Sequence, residues 1–257
     1  MDFVEYPLLL IFVVSIAAML AACEACLRFG LSSGGLGKEN TATLQASVLG
    51  LLALMIGFTF AMALSRFEAR RDAVLNEANS IGTTALRARL LPAPHDIECL
   101  KLLREYVQVR LDLTGHIPSA AELRAALDRS NAIQEALWQQ VKAVAAKDNS
   151  VVPTGVFIQS LNETIDNHEK RIIAASNRVP NVVLLALYGI AIVAAAFSGY
   201  SAGQAGQRSR VPVYTLAVLV AGVILIIQDL DRPNAGFIKV SQQPMIDTAA
   251  SIASYTN

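Results

Sequence analysis

The feature that most limits what this chain can fold into is where its charges are missing. Four stretches contain no Asp, Glu, Lys or Arg: Tyr6 to Cys23, Asn40 to Ser65, Val179 to Gln207 and Val211 to Gln228. A bilayer's hydrocarbon core, about 30 Å thick, is crossed by about 20 apolar helical residues. Each stretch supplies most or all of one span, and we read spans near 6–28, 44–65, 180–200 and 211–230. The surplus ends, Asn40 to Thr43 and Ser201 to Gln207, read as loop. Pro7, Pro180 and Pro212 stand near helix starts, where a missing N–H costs least. Charged residues make up 16% of the 257, against about 25% in soluble domains. The 21 basic and 21 acidic side chains balance, which gives no bulk attraction to nucleic acid. The composition excludes disorder and collagen, and three cysteines (Cys23, Cys26, Cys99) are too few and too unevenly placed for a disulfide framework.

Leu20-Ala21-Ala22-Cys23 has the look of a lipoprotein cleavage box. The segment before the apolar run carries Asp2 and Glu5 and no Lys or Arg, whereas a signal peptide starts basic. The first span is therefore expected to be retained. An even number of spans puts both termini on one side, together with residues 66–178. Near the span ends that side holds Arg66, Arg70, Arg71, Lys170, Arg171, Arg178, Arg232 and Lys239. The other holds Arg28, Lys38, Arg208 and Arg210. The positive-inside rule then makes the termini and the insertion cytoplasmic, in a cell (inner) membrane.

The 66–178 insertion reads as helix throughout. Pro92-Ala93-Pro94, Gly115 to Pro118 and Asp148 to Pro153 divide it into four helices. Ser119 and Glu122 form a capping box at the start of the third. The fourth carries Ile158, Leu161, Ile165, Ile172 and Ala175 at alternating spacings of three and four, with His168 in the remaining slot. The first shows Phe67, Val74, Ala78, Ile81 and Ala85, interrupted by Arg71. Both outer helices are expected to continue directly into spans two and three. The organisation expected is all-helical: 1–65 spans one and two, 66–178 a cytoplasmic helical domain, 179–232 spans three and four, and 233–257 a tail with a short amphipathic helix.

The segment from Met55 to Phe67 resembles the second span of bestrophin channels: Gly57-Phe58 in an apolar helix, then Arg66-Phe67 at the membrane exit. A larger part of the chain is similar to a bacterial bestrophin-like membrane family. The marks are Arg70-Arg71, Glu77-Ala78-Asn79, Ile81-Gly82-Thr83, Leu86-Arg87 and Leu90-Leu91-Pro92. A second cluster is Asp229-Leu230-Asp231-Arg232-Pro233 with Gly236, followed by Val240 to Met245. The resemblance implies a pentameric channel for small inorganic ions whose second span forms a narrow apolar neck. Aligned on Gly57, the neck aromatic falls on Phe58, while Leu54 and Gly50 take the preceding turns. The acidic calcium clasp of bestrophins has no clear equivalent.

Leu54, Phe58, Ala61 and Ser65 share one helix face by their spacing, with Gly57 beside it. Either this face lines a pore, where an apolar ring can close by dewetting, or it packs on another span or meets lipid. Arg66, Arg70 and Arg71 would form basic rings at a cytoplasmic mouth, which favours anions over cations. Asp229, Asp231 and Arg232 read as an ion-pair knot at the exit of span four, with a cation site as the other possibility. Two carboxylates are few for calcium, which takes about 6–8 oxygens. Glu24 is read as an interfacial carboxylate paired with Arg28. His95 and His116 show no metal-ligand spacing, and no cofactor or metal site is expected. There is no nucleophile elbow, phosphate loop, HExxH or paired-carboxylate signature, so an enzyme is not expected. The functional reading is an oligomeric ion channel lined by span two; the rival is a non-conducting scaffold or sensor that binds a partner through its helical domain.

Overall fold

The computed structural model describes residues 6–32, 38–114, 118–148, 150–207, 209–233 and 236–255. The described residues are helical, with no strand among them. The elements run α1 (Leu8–Ser32), α2 (Lys38–Ala88), α3 (His95–Asp112), α4 (Ala120–Ala145), a π turn at Val151–Gly155, α5 (Val156–Ser176), α6 (Asn181–Gln204), α7 (Val211–Asp231) and α8 (Gln243–Ala253). Among the described residues, four helices are long and apolar enough to cross a membrane. The expected loops at Asn40–Thr43 and Ser201–Gln204 are helix instead, so α2 and α6 are longer than the apolar count suggests. His116, Arg208 and the glycine-rich loop at 33–37 lie outside the described residues.

The chain divides into two units. One comprises residues 1–67 and 178–239, the other 68–177 and 240–257. The first contains α1, the first half of α2, α6 and α7. Its tightest contact is between α1 and α6. A Cβ on Gly199 would collide with the Cys23 backbone, one on Gly203 with Leu27, and one on Gly30 with Tyr200. Small residues spaced by four let membrane helices approach to backbone contact, which is how they gain van der Waals energy where lipid is as apolar as leucine.

The second unit packs the second half of α2, α3, α4, α5 and α8 around large side chains, among them Leu103, Tyr106, Leu137, Phe157 and Leu161, all at most 1% exposed. The expected capping box forms: Glu122 N–H donates to Ser119 Oγ at 3.2 Å, and Ser119 N–H donates to Glu122 at 2.7 Å. The tail helix α8 belongs to this core, with Met245 and Ile252 fully buried. The α5 seam is turned from the expected one. Phe157, Ser160, Leu161, Thr164 and His168 are buried, while Ala175 is exposed. Ser160 and Thr164 can occupy the interior because their hydroxyls bond to helix carbonyls, and Thr164 also meets Thr84 of α2 at 2.9 Å. One expectation fails outright: α5 does not run into α6. The helix stops at Ser176, Asn177 and Pro180 are extended, and α6 starts at Asn181. The residue before a proline is driven out of helical backbone, which explains the break.

Candidate ion pathway and polar clusters

Among the described residues, the span-two face that the sequence singles out is exposed. Leu54 is 54% and Phe58 65% exposed, and Ala61 and Ser65 are exposed with them. A Cβ built on Gly50 or Gly57 meets nothing within 4 Å. The opposite face is held inside the bundle, with Leu52, Thr59 and Ala63 buried. Phe60, about 200° around the helix from Phe58 at roughly 3.6 residues per turn, is 37% exposed.

The three arginines after the span diverge. Arg66 is half-buried and Arg71 exposed. Arg70 is buried, and its Nη1 donates to the Asn177 carbonyl at 3.4 Å, at the C-terminal end of α5. A helix turns about 100° per residue, so three residues within six positions cannot share one face. Within the single chain Arg71 is the exposed one of the three.

At the exit of α7 the carboxylates hold backbone amides. Asp231 Oδ1 accepts from Val179 N–H at 2.9 Å, fixing the chain just before α6. Asp229 accepts from Phe237 N–H at 2.8 Å and Ile238 N–H at 2.9 Å, one on each oxygen. A Cβ on Gly236 would collide with that carboxylate, so the glycine lets the loop fold over Asp229. Arg232 Nη2 donates to the Tyr6 carbonyl at 2.9 Å. These residues staple loops to a helix end. Among the described residues no three His, Cys, Asp or Glu side chains are grouped to hold a metal ion. At the other end of this unit Glu24 accepts from Arg28 at 2.8 Å, as the spacing suggests. It also accepts from the Tyr214 hydroxyl at 2.6 Å and lies 3.2 Å from Arg210, tying α1 to α7.

The most elaborate polar cluster is one that sequence reasoning missed. Glu77 of α2 is fully buried. Arg171 of α5 donates to its Oε2 at 2.6 Å, the Tyr106 hydroxyl of α3 donates to its Oε1 at 2.8 Å, and Arg110 Nε lies 3.2 Å away. Tyr106 also meets His168 Nδ1 at 2.8 Å. With the hydroxyl proton directed at Glu77, Nδ1 is the donor in that contact. Burial alone would raise the Glu77 pKa. The His168 Nδ1–H, 3.5 Å from Oε1, together with Arg110 and Arg171 more than reverses this and holds it at about 2, against an ordinary 4.5. Burial and the Glu77 charge push the Tyr106 hydroxyl well above its usual range. Arg171 also donates to Gln242 at 3.0 Å, bringing the segment before α8 into the network. The available signal was a set of charged or polar residues at seam positions: Glu77 beside Ala78, then Tyr106 and Arg110 one turn apart, then His168 and Arg171.

With this geometry in view, the comparisons fix the family. The Bestrophin-like domain model matches residues 32–245, and the chain belongs to that family. Solved structures of a bacterial bestrophin homologue from Klebsiella pneumoniae share the fold. One, a single-substitution variant, superposes with a TM-score of 0.67 at 14% identity, covering 96% of this chain and 99% of that one. Another, solved by zinc phasing, gives 0.67 at 14% identity over 95% and 98%. A further variant gives 0.66 at 17% over 93% and 94%. A search of curated protein sequences returned no match. Family, fold and apolar helices together make this an integral membrane protein.

Proposed function

We propose that the chain is one subunit of a ring, a pentamer by the precedent of bestrophins, that conducts small inorganic ions along an axis lined by α2. The observation that carries this reading is the exposed Leu54–Phe58 face. The same exposed line also carries Thr43, Ser47 and Ser65, hydroxyl-bearing residues that a wet pathway suits better than lipid does, whereas the turned-in face is Leu52, Thr59 and Ala63. Both termini and residues 66–178 lie on the cytoplasmic side in this reading, in contact with the lipid of the cell membrane only through the spans. The reading involves no cofactor, nucleic acid or enzymatic step.

The order of side chains along the exposed line of α2 favours cations. At about 100° per residue, Thr43, Ser47, Gly50, Leu54, Phe58, Ala61, Ser65, Glu68 and Asp72 lie within about 40° of one line. All of these are exposed. Small and hydroxyl-bearing residues lead to an apolar neck at Leu54 and Phe58, and carboxylates follow it. On the same wheel Arg70 points about 160° away and Arg71 about 100° away. Repeated around a ring, Glu68 and Asp72 would concentrate cations at the mouth, whereas Arg71 supports the anion preference drawn from the arginines.

The neck tests the reading. A ring of phenylalanines cannot replace the water of a hydrated ion, so conduction requires dilation or a wet gap. Phe58→Ala is expected to raise tracer cation flux into liposomes several-fold over wild type, and Phe60→Ala to leave it unchanged. Equal, negligible flux for all three reconstituted proteins would favour the scaffold. A rise for Phe60→Ala alone would keep the channel but rotate its lining.

A further inference from the structure

Between α2, α6 and α7, in the unit that carries the spans, lies a recess of about 280 Å³. Its mouth is formed by Gln45, Ser198, Ser201 and Gln207 around Ala202 and Ala205. Ser198, Val213 and Leu216 also border a separate apolar void of about 10 Å³, lined among others by Leu49, Leu52 and Ala195 and too small for a chain. A recess lined by uncharged polar groups at the end of apolar spans suits the head of an amphiphile whose tail stays in the bilayer. It opens at the ends of α6 and α7, where a span meets the interfacial layer.

The polar groups specify the head. Gln45 Nε2 donates to Ser198 Oγ at 3.3 Å, near the long limit for a hydrogen bond. That uses one of the two donors on the Gln45 carboxamide. Two carboxamides and two hydroxyls each both donate and accept, which matches an alcohol. Among the described lining residues none carries a charge, so a carboxylate, phosphate or ammonium head would be desolvated without a counter-charge.

We propose that this recess binds a neutral, hydroxyl-bearing head of the glycerol type, whose apolar tail lies outside the recess against the spans. The site lies behind α2, on the side opposite Leu54 and Phe58, because Gln45, which lines it, stands about 180° from Leu54 at about 100° per residue. An occupant would therefore bear on α2 without entering any pathway along its exposed face. Two sources share the head chemistry, a glycerol-headed lipid of the bilayer and a free polyol from solution.

The test uses the full chain in detergent, with native mass spectrometry as the readout and 1-monoolein as the probe. One saturable monoolein per subunit is expected. Methyl oleate, with the same tail and no free hydroxyl, should bind about 5-fold or more weakly, as should monoolein to Ser198→Ala or Gln45→Leu. Ala205→Phe stands on the exposed rim and should abolish binding while the protein keeps its thermal midpoint, so loss of the site is separated from loss of the fold. Displacement of monoolein by free glycerol would assign the site to soluble polyols; persistence of the adduct would assign it to lipid. Equal binding of methyl oleate, or undiminished binding to Ser198→Ala, Gln45→Leu and Ala205→Phe, would overturn the proposal. Binding is read directly, so the outcome stands whether or not the ring conducts.

Discussion

In the span-bearing unit α6 meets α1 through Gly199, Gly203 and Gly30, each with no room for a Cβ. In the helical unit the helices are held apart by Tyr106, Phe157 and leucines, and the space between them accommodates a carboxylate with four polar partners. The difference is the one expected if the first unit lies in lipid and the second in water. Lipid offers leucine side chains no reason to leave it, so association there depends on close backbone approach. Water expels apolar area at about 25 cal/mol per Å², so large side chains associate, and a buried charge is tolerated if it is fully paired. Each unit should accordingly be broken by a different kind of substitution.

The largest effect is expected at Glu77. Glu77→Ala leaves Arg110 and Arg171 beside each other, buried and without their anion, and removing one member of a buried ionic network costs about 3–5 kcal/mol. Chemical denaturation followed by hydrogen exchange should show α3, α5 and α8 losing protection while α1 and α6 keep theirs. A uniform loss across both units would show that they do not unfold separately. Acid probes the same group without a substitution. The folded pKa of Glu77, about 2, lies below its ordinary 4.5, so its contribution is fully present above pH 4.5 and is lost as pH falls toward 2. The shift corresponds to a contribution on the order of 3 kcal/mol, and Glu77→Gln should flatten this part of the stability–pH profile. A profile as steep in Glu77→Gln as in wild type would assign the acid sensitivity to other carboxylates.

A smaller effect is expected from overfilling the glycine seam. Gly199→Leu places a side chain where the Cys23 backbone lies, and forcing extra volume into a packed interface typically costs about 1–3 kcal/mol. The thermal transition of the spans should fall while that of the helical unit stays in place. An unchanged transition would mean that α1 and α6 can separate freely, and the seam would not be what holds this unit.

How far the sequence revealed these arrangements depends on whether one residue type carries the signal. Runs without charge marked the four long helices, because insertion in a membrane excludes charge residue by residue. The capping box was equally legible, since both of its bonds lie within four residues. The Glu77 network draws one or two residues from each of four distant segments, and no local pattern connects them. The glycine seam is not legible in the same way, because nothing local distinguishes Gly199 and Gly203, which meet backbone, from Gly50 and Gly57, which meet open space. The spacing of four is visible in α6, but the partner that makes it useful is Gly30 of α1. The arginines at 66, 70 and 71 were read by type, whereas their angular positions on α2 determine which is exposed.

The smallest effect concerns Gly57, which sharpens the contrast with Gly199. Both are span glycines, but a Cβ on Gly57 meets nothing within 4 Å and one on Gly199 meets backbone. Alanine removes the extra backbone freedom of glycine in the unfolded chain, so in open space the change favours helix by up to about 1 kcal/mol. Gly57→Ala should leave the thermal midpoint of the spans unchanged or slightly raised, and the subunit count by native mass spectrometry should stay the same. Gly199→Ala should lower the midpoint. If Gly57→Ala instead released folded single subunits, Gly57 would belong to a tight contact between copies. The free line along α2 would then be confined to Leu54, Phe58, Ala61 and Ser65, and the ring would be closed by the same glycine packing that joins α1 to α6.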